Sequence, residues 1–296
     1  VTLLLAVHYT FITETRFGLS NGSILLTIMM CSLFCFLTWY LGKNNLYFYA
    51  GTFLLGIGLS VRIWFAWFIG AFCVCGVIFW KEVMSRLKYK GNFYVKIYFG
   101  LLTFIAGSFL LFYYNVSRNF PSLKFFFKNF RRTAEEGVNN LDYIHNLFVR
   151  FGHIFDHLTS RKWFWVSEYY YYLYVVFFLL PIAFIFYILI SRRKSYFSKK
   201  RILFVIILVF AVLFESPFTP TALRDGNIFW LFPLLILLFC IGIIECNFYF
   251  KNRFITTLIV LFFLLLLSTE LYKNFKGYIF FRETGGRGYQ SDAVNV

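Results

Sequence analysis

The chain has 296 residues, of which 60% are apolar, 24% aromatic and only 14% charged, with a mean hydropathy of +0.71. That balance excludes an ordinary water-soluble domain. The net charge of +16 would suit nucleic acid, but the basic residues stand in short clusters between apolar runs, where they act as membrane orientation signals, so nucleic acid is excluded as a partner.

Taken in chain order, residues 1–11 read as the end of a span. Full spans are then predicted at about 23–41, 46–61, 63–80, 93–115, 169–191, 202–216, 227–247 and 254–271. The fold class expected is all-α, a polytopic transmembrane helix bundle of about eight spans plus a partial one, with an outer interfacial amphipathic helix. Four regions follow: N-terminal spans at 1–115, an extracytoplasmic loop at 116–168, C-terminal spans at 169–271 and an extracytoplasmic tail at 272–296. At 1.5 Å per residue the 46–61 and 202–216 segments reach only about 22 to 24 Å, so they must border protein or a wet cavity. Pro181 lies mid-span and deprives the carbonyl of Phe177 of its helical donor; Pro233 is expected to do the same to Phe229.

Three basic clusters set the sidedness: Lys81, Arg86, Lys88 and Lys90; Arg192 to Lys194 with Lys199 to Arg201; and Lys251 with Arg253. An even number of spans separates each pair, so all three fall on one side, the cytoplasmic one. The connections at 10–22, 61–63, 116–168 and 216–226 then lie outside. The aromatic run from Trp163 to Tyr172 forms an outer belt at the head of a span that closes on Arg192.

In the long loop, Leu141, Ile144, Phe148, Phe151, Phe155 and Leu158 recur at alternating spacings of three and four, which stacks them on one helical face. Asp142, His145, Arg150, His153 and Asp156 fall largely away from it. An amphipathic helix over 139–159, lying in the outer interface, is the consequence. His153 and His157 stand at i, i+4 beside Asp156, a spacing that suits a shared metal. No HExxH pattern accompanies them, and polar-face bonding to headgroups or substrate is preferred; no metal and no cofactor is assigned. The Phe-rich basic stretch 122–132 reads as a second surface-seeking segment. The six cysteines lie in or beside apolar runs and read as small apolar fillers.

Polar residues near the outer span ends carry the candidate chemistry, because the bilayer penalises them there. They are Glu14, Arg16, Arg62, Glu168, Glu215 and the Arg224–Asp225 pair. Arg16, Arg62 and Arg224 offer forked donors for the phosphate of a lipid head, the alternative being that each snorkels or pairs with a neighbouring acid. Glu14 is the in-chain carboxylate for an acid–base role, and Glu168, Asp225 and His157 are expected to line the substrate cavity.

The run His8 to Trp39, with Glu14-Thr15-Arg16 closing one apolar stretch, resembles the Glu-x-Arg segment of polyprenyl-phosphate-dependent membrane glycosyltransferases of the GT-C fold. These are the dolichyl-phosphate-mannose protein mannosyltransferase-like and aminoarabinose transferase-like proteins. Trp163 to Pro181 is similar to that family's Pro-Trp-x-Tyr-Tyr-Leu entry and later Leu-Pro-Trp, with Lys162 in place of the first Pro and Ile182 in place of the last Trp. Arg224 to Pro233 is like its basic residue followed by Tyr, Leu and Pro, with Trp230 near the Tyr position. The resemblance implies transfer of a sugar from a polyprenyl-phosphate donor at the extracytoplasmic face, in a bacterial inner membrane, with membrane lipids as the other partners. It also implies a catalytic carboxylate in the first outer loop. Because the chain opens at Val1 near the end of a span, that loop is expected upstream, the sequence being a fragment.

Gly285-Gly286-Arg287-Gly288 lacks the strand, Lys and Ser/Thr of a phosphate loop. Asn21-Gly22-Ser23 and Asn115-Val116-Ser117 match the glycosylation sequon. Two other readings stay open: a transporter or flippase of a lipid-linked or anionic substrate, suggested by the short and Pro-broken spans, and an O-antigen polymerase or ligase. No internal repeat supports the transporter.

Overall fold

The computed structural model describes residues 6, 21–42, 44–89, 92–122, 124, 143–159, 169–191, 195–218 and 231–284, and every regular element among them is helical. In order these are α1 (Asn21–Gly42), α2 (Asn45–Val61), a 3-10 turn (Ile63–Phe65), α3 (Ala66–Ile78), α4 (Trp80–Leu87), α5 (Phe93–Gly107) and α6 (Phe109–Ser117). There follow α7 (Tyr143–Thr159), α8 (Tyr169–Ile190), α9 (Lys199–Glu215), a second 3-10 turn (Ser216–Phe218), α10 (Phe232–Phe250) and α11 (Arg253–Thr284).

Helices occur at all eight positions where a span is expected. Four stretches are long and apolar enough to cross a bilayer: Ile24–Gly42, Lys199–Phe218, Phe232–Phe250 and Thr256–Phe280. The number becomes six if two bent pairs each count as one span, the first turning 90° between Ile63–Ile78 and α4, the second 61° between α5 and α6. Large apolar side chains stand outward along these helices, Tyr94 at 78% exposed, Leu110 at 71% and Ile190 at 84%. In water each would forfeit on the order of 25 cal/mol per Å² left uncovered; against lipid tails it forfeits nothing. The protein is membrane-embedded.

The chain divides into two compact units. The first comprises Leu19–Gly152 with Ile206–Leu231, the second Val1–Gly18, His153–Val205 and Phe232–Val296.

In the first unit, α2 and α5 meet along small residues. Thr52, Gly56 and Ser60 recur every fourth residue on α2 and face Thr103 and Gly107 of α5. The Thr52 and Thr103 hydroxyls lie 2.7 Å apart, and Ser60 Oγ donates to the Gly107 carbonyl at 3.3 Å. A methyl group on Gly56 would stand 2.8 Å from the Ser108 nitrogen, so only glycine permits this approach. Each helix starts on an asparagine cap: Asn44 Oδ1 accepts from the Leu46 N–H at 3.0 Å and Asn92 Oδ1 from the Tyr94 N–H at 2.9 Å. One turn before Thr52 on the same row, the Phe48 ring fills the space beside Gly100 of α5 and also packs on Trp39 of α1, ring centroids 4.9 Å apart.

Asn115, in the second sequon, is 7% exposed and fully engaged. Its Nδ2 donates to the Leu111 carbonyl at 2.8 Å, while its Oδ1 accepts from the Ser122 N–H at 3.0 Å. The amide that a glycan would occupy is therefore part of the turn that ends α6.

In the second unit α8 and α10 cross at Pro181 and Gly242, where a methyl group on the glycine would stand 2.5 Å from the Pro181 carbonyl oxygen. The ring of Phe184 packs on Tyr249 and Phe250 at 5.6 and 5.7 Å, and the Tyr187 and Tyr249 hydroxyls are 3.1 Å apart. Pro233 lies in the first turn of α10, which begins at Phe232; Phe229, whose carbonyl was expected to lose its donor, lies outside the described residues. All six cysteines are free thiols.

Candidate functional site

The site grows from an ordinary problem at the end of α9. The last carbonyls of a helix have no intrahelical donors, and at a membrane-embedded end water supplies few. Within the first unit α7 supplies them. Tyr143 Oη donates to the Phe214 carbonyl at 2.8 Å, and Asn146 Nδ2 reaches the Pro217 carbonyl at 3.4 Å. The Tyr143 ring also packs on Phe218, centroids 4.9 Å apart.

These contacts fix the rotation of α7. Asn146 and Arg150, at i and i+4, face inward and are 0% exposed, whereas Ile144 and Phe148 are 65% and 70% exposed. Over these turns the helix sets Asn146 and Arg150 against the protein and Ile144 and Phe148 away from it, the reverse of an amphipathic helix on a soluble protein, and one turn further on the buried Ile154 continues the inward row.

Arg150 ends over α3. Its guanidinium carbon lies 5.3 Å from the centroid of the Trp67 ring, within cation–π range. Trp67 is itself only 5% exposed and stacks on Trp64 at 5.6 Å. Burial pulls the guanidinium pKa down from its ordinary value to about 9, which leaves it charged at neutral pH. The same cause raises the Tyr143 phenol, which stays neutral.

Three residues beyond Trp67, on the same face of α3, Gly70 receives the carboxylate of Glu215. A methyl group on Gly70 would lie 2.8 Å from the Glu215 Cδ and 2.9 Å from its Oε1, so the carboxylate rests where a side chain would otherwise be. The two contacts stand one helical turn apart, about 4.5 Å of rise. Among the described residues no hydrogen-bond donor serves the Glu215 carboxylate. The C-terminal end of α9, where it sits, is the negative end of the helix dipole and offers it no help. A cation and a half-buried acid thus share one helix face lined by two tryptophans. Such a pair can hold an anion at one point and take up a proton at the other.

Of the residues singled out in the sequence, Arg62 lies in the break between α2 and α3. Its backbone is extended, its N–H donates to the Gly58 carbonyl at 3.1 Å and its carbonyl accepts from the Phe65 N–H at 2.9 Å. The break stands because the Phe65 ring fills the space beside Gly58. Arg62 is half-buried, five residues before Trp67. His157 is on the last turn of α7, with its side chain outside the described residues; Glu14, Arg16, Glu168, Arg224 and Asp225 lie outside them as well. The expected convergence of Arg16, Arg62 and Arg224 therefore involves two residues beyond the description.

Arg150, Trp67 and Gly70 were not singled out. The only signal for Arg150 was its i+4 spacing from Asn146, on the side of α7 opposite the apolar stripe. Also missed were the buried charges of the second unit: Glu245, 0% exposed, and the Glu270–Lys273 ion pair at 2.8 Å, each member 2% exposed. A lone carboxylate inside the apolar run of α10 was the available signal.

No family model matches the chain, and no curated protein and no solved structure resembles it.

Proposed function

We propose that this chain is an integral membrane glycosyltransferase that moves a sugar from a polyprenyl-phosphate donor to an acceptor at the extracytoplasmic face. In this reading it has eight spans, and α7 lies along the outer interface of a bacterial inner membrane. One observation carries the reading beyond the sequence resemblance: Arg150 and Glu215 meet one face of α3, beneath a helix whose apolar side is turned outward. A lipid-linked phosphate needs both an apolar approach and a fixed cation at its end. Ile144 and Phe148, on the outer side of α7, suit the first, and Arg150, buried on the opposite side, suits the second where the head reaches beneath the helix. Arg62, with Arg16 and Arg224, would hold the remaining phosphate oxygens, and Glu14 or Glu215 would take the proton of the acceptor hydroxyl. Glu168, Asp225 and His157 would line the sugar side of the cavity.

Binding of a short-chain polyprenyl phosphate to the purified protein in detergent tests this. Arg150→Met and Arg62→Ala should each weaken binding about ten-fold or more, the loss of one charge-assisted hydrogen bond. Unchanged affinity in both would sink the proposal.

A second reading, a transporter or flippase of the same lipid, is favoured by the two bent helix pairs, because broken helices recur in transporters. Vesicles loaded with a lipid-linked sugar separate the two. Transfer releases polyprenyl phosphate, whereas transport moves the donor between leaflets intact.

A further inference from the structure

The corner between α3 and α4 plays no part in the reading above. α3 is apolar along its length, and beyond Phe79 the chain turns 90° into the eight residues of α4. A helix set at right angles to a span lies along the membrane surface. The corner is dressed for that position, with Val77 71%, Ile78 53% and Trp80 55% exposed, while Leu87 on the other side is 6% exposed.

Two cations fasten α4 to its own unit. The Arg86 guanidinium lies over the Tyr40 ring at 4.8 Å, and Lys96 of α5, 3% exposed, donates its Nζ to the carbonyl of Tyr89 just past the helix. Two others are left outward. Lys81 and Lys88 are exposed seven residues apart, hence on one face, with Ser85 between them at i+4. The Ser85 hydroxyl donates to the Glu82 carbonyl at 2.8 Å, so this small residue leaves an open gap between the two ammonium groups. Among the described residues neither lysine has an ion-pair partner. Their spacing along the axis, about 10.5 Å, is too long for one phosphate and suits neighbouring headgroups.

We propose that α4 is an anionic-phospholipid site at the Lys/Arg-rich membrane surface: Lys81 and Lys88 hold headgroup phosphates while Trp80 sits at the boundary between headgroups and chains. The occupant follows from position and charge. The face is continuous with the lipid-facing side of α3, its two lysines outnumber the single acid of the helix, the part-exposed Glu82 beside Lys81, and strongly hydrated lysines suit a laterally mobile phosphate better than a fixed fork.

The full chain in vesicles of phosphatidylcholine, with or without phosphatidylglycerol, provides the test. Quenching by brominated lipid is compared between wild type and Trp80→Phe, and the difference reports Trp80 alone. Bromines near the headgroup should quench Trp80 more than bromines at the chain ends. Brominated phosphatidylglycerol should outcompete brominated phosphatidylcholine there, by roughly five-fold per lysine for an anionic surface worth ~1 kcal/mol per basic residue. Lys81→Gln with Lys88→Gln should abolish that preference and leave the depth unchanged, and raised salt should weaken it in the wild type. Both side chains are exposed, so the double variant should fold, with the Arg86–Tyr40 stacking as a check. Quenching of Trp80 by aqueous iodide but not by lipid would overturn the proposal. So would a phosphatidylglycerol preference that survives in the double variant.

Discussion

The two units handle buried charge in opposite ways. In the second, Glu245 is closed off: its Oε1 accepts from the Phe197 N–H at 2.8 Å and lies 2.6 Å from the Ser195 hydroxyl, and its Oε2 accepts from the Tyr196 N–H at 3.0 Å. Glu270 and Lys273 close on each other. In the first unit Arg150 rests on the flat face of Trp67 and Glu215 on a bare glycine. A buried charge ringed by fixed donors does structural work, here pinning the connection between α8 and α9. Glu215, set against an empty Cβ position with no hydrogen-bond donor among the described residues, keeps capacity for something else.

The largest effect should therefore fall in the second unit. Glu245→Ala strands two part-buried backbone donors, the N–H groups of Tyr196 and Phe197, while the Ser195 hydroxyl keeps the Phe197 carbonyl at 2.6 Å, and should cost about 3 kcal/mol, at the charged end of the hydrogen-bond range. Thermal unfolding in detergent would show it, and Glu245→Gln should recover part, since an amide oxygen still accepts. An alanine variant that melts with the wild type would erase the contrast. Next comes Gly242→Ala, which drives a methyl group against the backbone of Pro181, 2.5 Å from its oxygen. Backbone cannot step aside, so about 1 to 3 kcal/mol should be lost.

How far the sequence could see follows the same division. Apolar runs placed helices at all eight expected spans, because hydrophobic length is a local property. The 93–115 run hides its break: Ser108 turns its hydroxyl back to the Phe104 carbonyl at 2.8 Å and Gly107 packs on α2, a Gly/Ser pair that bends the helix. Glu215 and Arg62 were legible as charges at span ends. Arg150 was legible only as a polar-face residue. Its inward turn depends on the unmet carbonyls of Phe214 and Pro217, more than sixty residues away, and periodicity carries no information about them.

In the first unit, removing charge should do little to stability. Arg150→Met keeps a polarizable chain on Trp67 and removes a desolvated cation, so the change should stay within about 1 kcal/mol. The pH dependence has a definite sign. Folding lowers this pKa from its ordinary value to about 9, so between those values the unfolded chain binds more protons and the contribution of this group to stability rises with pH. Below about 9 both states are protonated and the burial penalty is complete. Wild type minus Arg150→Met, followed by unfolding from pH 8 upward, should show that rise relative to the variant. A flat difference would mean that the guanidinium is hydrated.

The smallest change in stability, and the sharpest contrast with Gly242→Ala, belongs to Gly70→Ala. Both substitutions add one methyl group to a crowded glycine in a membrane helix. At Gly242 the obstacle is backbone; at Gly70 it is the far end of the Glu215 side chain, which can swing clear. Alanine also favours the helix by up to ~1 kcal/mol over glycine, which offsets the crowding, so unfolding should differ from wild type by less than about 1 kcal/mol. What must change is where the carboxylate stands. An apolar carbodiimide, with the adduct at Glu215 followed by peptide mass, should therefore label Gly70→Ala and wild type at different rates while their melting curves coincide. Equal labelling with equal stability would mean that Glu215 does not depend on the gap in α3. Strong destabilisation would mean that the carboxylate is as firmly held as Glu245, and the contrast between the units would fall with it.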